Sequence, residues 1–139
     1  MIKTFIDSGV LIAAARGNSE KSLPAVQVLD DANRSFVSSP FLKLEVLPKA
    51  IYNQCREEEL FYEAYFTAVT DYVTDLEQIL LMGSQEARQW GLGAMDALHV
   101  AAAVMAGAKE FMTTEKPSRS IYRKFGLKPR RFTTAFLDL

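Results

Sequence analysis

Short apolar runs alternate with longer stretches of helical periodicity along the whole chain. Ile2, Phe5 and Ile6 make "IKTFI" a short buried strand, and residues 8–16 continue as a helix. "SEKSLPAVQVLDDA" starts a second helix with Pro24 near its first turn, and "RSFVSS" is a second short strand. Ser39-Pro40 opens a third helix in the favoured order of cap then proline. Leu44, Leu47, Ile51 and Cys55 form its apolar stripe. Pro48 removes the amide that the Leu44 carbonyl would accept from, so a kink is expected one turn after Glu45. Residues 59–73 carry Tyr62, Phe66, Val69 and Val73 at spacings of four, three and four, which predicts a fourth helix. A fifth spans 76–90, and "GLGAMD" is a turn. Residues 97–106 are apolar nearly all round and read as a buried helix ended by Gly107. "KEFMTT" follows as a strand, "KPSRSIYRKFG" as a short helix and "PRRFTT" as a last strand. Short strands separated by helices predict an α/β fold, a short, mostly parallel sheet wrapped by helices. With no repeat and no internal linker, residues 1–139 are expected to form one domain.

Composition narrows the class. The 139 residues are 49% hydrophobic and 24% charged, an ordinary globular balance. No apolar run approaches the ~18 residues of a membrane span, and "MIKTFID" lacks the apolar stretch of a signal peptide. The single Cys55 permits no internal disulfide and no multi-cysteine zinc site. A cytoplasmic protein with no membrane partner is expected. The net charge of -1 conceals a segregation: residues 1–108 carry eight Lys/Arg against fourteen Asp/Glu, and residues 109–139 eight against three. Such a basic tail, with Arg119, Arg123, Arg130 and Arg131, suits a polyanion and equally suits a solvated face.

Four acids interrupt or abut strongly apolar elements: Asp7 after the first strand, Glu45 inside "FLKLEVL", Asp96 before the most apolar helix, and Glu115 after "EFMTT". Taken singly, each has a plain structural role. Asp7 or Ser8 fits a cap for the first helix and Asp96 a cap for its own. Glu45 is placed for an ion pair with Lys49, and Glu115 for a loop. Taken together, they point elsewhere. In a wrapped parallel sheet, ligands bind beyond the carboxyl ends of the strands, where Asp7, Glu115 and the start of the Asp96 helix all fall. Carboxylates gathered on one rim repel unless a cation neutralises them, and an oxygen-rich site favours Mg²⁺ or Mn²⁺ over zinc. Phosphodiester hydrolysis is a chemistry that uses such a cluster.

The stretches "FIDSGVLIA", "LKLEVL", "MDALHVAAAVMAGA" and "FMTTEK", in this order and spacing, resemble the PIN-domain nucleases. The likeness is greatest to the small bacterial ribonuclease toxins of VapC type, and it covers essentially the whole chain. The resemblance implies a PIN-like three-layer α/β sandwich. It implies that Asp7, Glu45 and Asp96 are the near-invariant catalytic and metal-binding acids, with Glu115 as the fourth. Thr113 would be a supporting hydroxyl, and Ser8 another, alongside its possible role as a cap. Together they would hold one or two Mg²⁺ or Mn²⁺ ions and cut single-stranded RNA by attack of a metal-activated water. Glu115 departs from the family, which usually has Asp there, and its extra methylene moves the carboxylate outward. The resemblance also implies a cognate antitoxin and a homodimer, for which the aromatic segment 60–73 offers a contact. His99, the only histidine, lies one helical turn after Asp96. Two readings stand for it: a packed, hydrogen-bonded residue, or a contact for substrate or a proton.

Other functions fit less well. A phosphatase of the haloacid-dehalogenase type needs a second Asp two residues after the first, where this chain has Gly9. A phosphoacceptor receiver domain needs paired acids near residue 10, and residues 1–16 contain only Asp7. A flap-cutting DNA nuclease needs a longer chain. The alternative to the ribonuclease is a module of the same fold that binds RNA or a partner and cuts weakly or not at all.

Overall fold

A computed structural model describes residues 1–114, together with the strand at 133–136. The expected alternation is present. The chain runs β1 (Ile2–Ile6), α1 (Ser8–Arg16), α2 (Ser22–Leu29), β2 (Arg34–Ser38), α3 (Pro40–Tyr52), α4 (Arg56–Ala68), β3 (Asp71–Tyr72), α5 (Leu76–Trp90), α6 (Ala94–Met105), β4 (Glu110–Thr113) and β5 (Thr133–Phe136). The five strands form one sheet in the order β3-β2-β1-β4-β5, and every neighbouring pair is parallel. The chain builds outward from β1 through β2 to β3, then crosses back to place β4 on the other side of β1. The order therefore reverses between β1 and β4, and that is where a parallel sheet opens a crevice at its carboxyl edge.

The sheet centre is aromatic and aliphatic. Phe5 of β1 stacks on Phe111 of β4 with ring centroids 5.2 Å apart, and both are fully buried with Ile6, Val37 and Val100. On α6, Ala101, Ala102 and Ala103 are also fully buried, small enough to let neighbouring elements approach closely. α5 matches its expected bounds of 76–90. Its buried face includes Gly83, where an added Cβ would lie 3.1 Å from Leu98 Cδ2 and 3.5 Å from the Ala97 carbonyl of α6. The two helices meet closely enough to leave almost no room for a side chain there.

Three expectations are corrected. The helix expected over 59–73 stops at Ala68, and Val69 turns extended. The Thr70 amide then donates to the Phe36 carbonyl (2.9 Å) and the Val73 amide to Ser38 (2.9 Å), adding β3 to the edge of β2. The β-branched Val69, Thr70 and Val73 suit a strand, and the open carbonyls of β2 outweigh one more helical turn. On α3 the buried face is Leu42, Val46 and Ala50, and the large residues Leu44 and Ile51 are 66% and 50% exposed. The small Ala50 faces the interior near Tyr62, so residue size was a poor guide to the inner face. Cys55 lies on no helical stripe. It precedes α4, and hydrogen bonding to Glu58 raises its thiol pKa, which leaves it little thiolate character.

Candidate functional site at the carboxyl edge of the sheet

β1 ends at Ile6, and the Asp7 amide adds one more bond toward β4, donating to the Met112 carbonyl at 3.0 Å. This sets Asp7 beside Thr113, at the reversal in strand order. Asp7 has extended backbone angles and serves as the N-cap of α1, its Oδ1 accepting from the Val10 amide at 3.1 Å. Its Oδ2 accepts from the Thr113 hydroxyl, which is fully buried. The cap and the site reading are thus both satisfied by one carboxylate, using a different oxygen for each. Asp7 is only 9% exposed, and a carboxylate so deep must be hydrogen-bonded to be tolerated.

Gly9 explains how β4 and α1 come so close. A Cβ at position 9 would fall 2.1 Å from Thr114 Oγ1 and 3.4 Å from Asp7 Oδ1. A side chain there would push into the end of β4. A cleft of about 230 Å³ opens on this side, bordered by Gly9, Arg16, Lys21 and Thr114. Lys21 donates to the Thr114 carbonyl at 3.1 Å and so ties α2 to the same corner.

Glu45 sits in the second turn of α3, with its side chain 30% exposed. It makes no ion pair with Lys49 among those found in the described residues. Its Oε1 lies 2.9 Å from His99 Nε2 instead. The bond from His99 holds the carboxyl below its ordinary range; burial works against this, while the electrostatics of His99 and a hydrogen bond from Ser8 add to it. His99 is 2% exposed, and its ring rests on Phe5 with centroids 5.5 Å apart. The packed, hydrogen-bonded reading of this histidine is the one its surroundings support.

α6 begins at Ala94, three residues before the expected 97, with Gly93 as its N-cap. Asp96 therefore does not cap the helix. It lies in the first turn, where a negative charge is favoured by the unpaired amides at the helix start. Because α6 ends next to the start of β4, its first turn opens at the carboxyl edge, one turn outward from His99.

The structure thus joins Thr113 to Asp7 and His99 to Glu45, and places the first turn of α6, with Asp96, at the same edge. Glu115, the helix expected over 116–126 and the basic residues from Lys116 to Arg131 lie outside the described residues. Among the described residues, no three His, Cys, Asp or Glu side chains form a ready metal-ligand group. The donor types assembled are nonetheless carboxylate and hydroxyl oxygens, the set that hard divalent cations take. Sequence reasoning missed the Glu45–His99 bond, since 54 positions separate the partners and neither residue's neighbours betray the other. It also missed the fit of Gly9 against Thr114, for which the only available signal was a glycine one residue after Asp-Ser.

No curated protein matches the chain in sequence. Among solved structures, a chain of VapBC2 from Rickettsia felis, crystallised bound to a DNA fragment from its promoter, superposes with a TM-score of 0.68. It is 12% identical, over 99% of this chain and 100% of that one. A chain of a toxin–antitoxin complex from Klebsiella pneumoniae superposes with a TM-score of 0.61, at 17% identity over 81% of this chain and 86% of its own. At such identities the likeness is one of fold. Residues 4–123 match the PIN domain family, from the middle of β1 past the end of β4. The chain belongs to the PIN domain family, whose members are nucleases that generally use divalent metal ions.

Proposed function

We propose that this protein is a metal-dependent endoribonuclease that cuts single-stranded RNA, and that it is the toxin of a toxin–antitoxin pair. The observation that carries the reading is the placement of Asp7. A carboxylate only 9% exposed is held by Thr113 and the Val10 amide at the reversal in strand order. Asp7, Glu45 and Asp96 are the residues that would hold the ion, with Glu115 as the fourth acid. Oxygen donors of this kind suit Mg²⁺ or Mn²⁺, one ion or two. When bound, such an ion supplies Lewis acidity and neutralises negative charge during phosphodiester hydrolysis.

The chain's own groups have separate tasks. Thr113 and the Val10 amide fix the Asp7 carboxylate, and Glu45 is hydrogen-bonded to His99. Lys21, beside the cleft next to Gly9, offers positive charge to the RNA backbone, whereas Arg16 on the same cleft is paired with Glu58 at 3.1 Å. The resemblance of fold to a toxin–antitoxin complex supports a protein partner that covers the acidic edge. The proposed enzyme is cytoplasmic; the described residues contain no helix long and apolar enough to cross a membrane. A homodimer remains part of the proposal.

The test is cleavage of a mixed pool of transfer RNA and single-stranded RNA in Mg²⁺, Mn²⁺ or EDTA. Asp96→Asn should lower cleavage at least ~100-fold, since the amide is a poor ligand for a hard cation. Cleavage by the purified mutant at the wild-type rate would overturn the metal-site reading. Tight RNA binding by the wild type without metal-dependent cutting would overturn the nuclease and favour the binding module.

A further inference from the structure

His99 is bound to three parts of the molecule at once. It is rooted in α6, one turn after Asp96. Its ring lies against Phe5, two residues before Asp7 on β1, and its Nε2 reaches Glu45 on α3. We infer that His99 is a positioning residue, one that holds the Glu45 carboxylate in place for a divalent cation. The inference rests on the reading of Glu45 as a metal ligand given above.

The geometry decides between three roles. A base or substrate contact needs a free nitrogen at the surface, whereas the His99 side chain is only 3% exposed and its Nε2 is taken by Glu45. A merely packed residue would gain little from a polar ring in this setting. Nδ1 is buried without a hydrogen-bond partner among the described residues. A donor stranded there would cost about 1–3 kcal/mol, so the ring proton belongs on Nε2, directed at Glu45. That leaves one hydrogen bond for the whole imidazole, the one to the carboxylate.

Glu45 needs such a restraint. Its side chain has three rotatable bonds and is 30% exposed, so an untethered carboxylate would explore several rotamers. A ligand held in its binding rotamer loses less entropy when the cation arrives, and groups that orient a ligand from behind typically contribute 10–100-fold in metal affinity. Because Asp96 and His99 share one helix, α6 contributes one acid directly and aligns another that belongs to α3.

The experiment is a Mn²⁺ titration of the purified full chain without RNA, reading free Mn²⁺ by its electron paramagnetic resonance signal. Melting temperature in EDTA is recorded for each variant. His99→Leu should weaken Mn²⁺ binding about 10–100-fold, and His99→Gln, whose amide nitrogen restores a donor near Nε2, should recover it to within about threefold of wild type. A folded His99→Leu with wild-type affinity would overturn the inference. So would His99→Gln weakened as far as Leu, because packing rather than a donor would then matter. If His99→Leu does not fold, His99→Met takes its place as the variant without a donor, and the Gln result stands by itself. Glu45→Gln separates the two levels of the argument. No loss in that variant would mean Glu45 is not a ligand, and the inference would fall with the reading beneath it; loss in Glu45→Gln but not in His99→Leu would sink the positioning role alone.

Discussion

Asp7 does two jobs with two oxygens, which makes its substitutions informative. In Asp7→Asn the side-chain oxygen still caps α1, and the amide nitrogen can donate to Thr113, whose hydroxyl turns to accept. Stability should change by no more than about 1 kcal/mol, while RNA cleavage falls by orders of magnitude with the lost charge. Asp7→Ala removes the cap and strands the buried Thr113 hydroxyl, a loss of roughly 2–4 kcal/mol. Urea denaturation of both variants beside their cleavage rates checks this. An Asn variant as unstable as the Ala variant would mean that the charge, not the hydrogen bonding, holds α1 to β4. The sequence exposed Asp7 as an acid at a strand end, and exposed Thr113 only through the family resemblance. Their contact is set by the parallel register of Ile6 with Met112, which residue identities alone do not encode.

Helices and strands were legible where one strong periodicity met clear end signals. α5 shows why: Asp75 caps its start, accepting from the Gln78 amide at 3.1 Å, and Gly91 ends it in the left-handed region with φ 66°. Both residues are recognisable from sequence alone. α3 and α4 misled for different reasons. On α3 the inner face is Leu42, Val46 and Ala50, so burial there follows the helix's orientation rather than residue size. At the end of α4, a continuing apolar pattern gave way to pairing with β2, a contact that spans more than thirty residues. Gly83 belongs to the same class of long-range fit. Placing Val there adds a β-branched side chain against Leu98 and the Ala97 carbonyl, and overpacking of this kind typically costs about 1–3 kcal/mol. Gly83→Ala trades ~1 kcal/mol of helix propensity against a 3.1 Å approach to the mobile end of Leu98, and should stay within ~1 kcal/mol of wild type. Thermal melts of the two variants in EDTA distinguish these outcomes. Equal and large losses in both would show that α6 cannot yield at all against α5.

For the whole molecule, the proposed site predicts a link between stability and metal. Three acids from α3, α6 and the end of β1 are drawn to one edge by folding and dispersed by unfolding, so a cation that bridges them binds the native state alone. Mass action then stabilises the fold by about 2.7 kcal/mol at a hundred times the dissociation constant. For a chain of this length that corresponds to a rise on the order of 10 °C in melting temperature. Mn²⁺ should produce that rise, EDTA should reverse it, and Asp96→Asn should remove most of it. The prediction does not depend on finding the right RNA, which makes it independent of the cleavage assay. A melting temperature that stays flat up to about 10 mM Mn²⁺ would mean that the acids do not act as one site. Asp7 would then stand as a cap and Glu45 as the partner of a buried histidine. Each acid would be explained by its own element, and the family's nuclease chemistry would have been lost from a fold that still carries its residues.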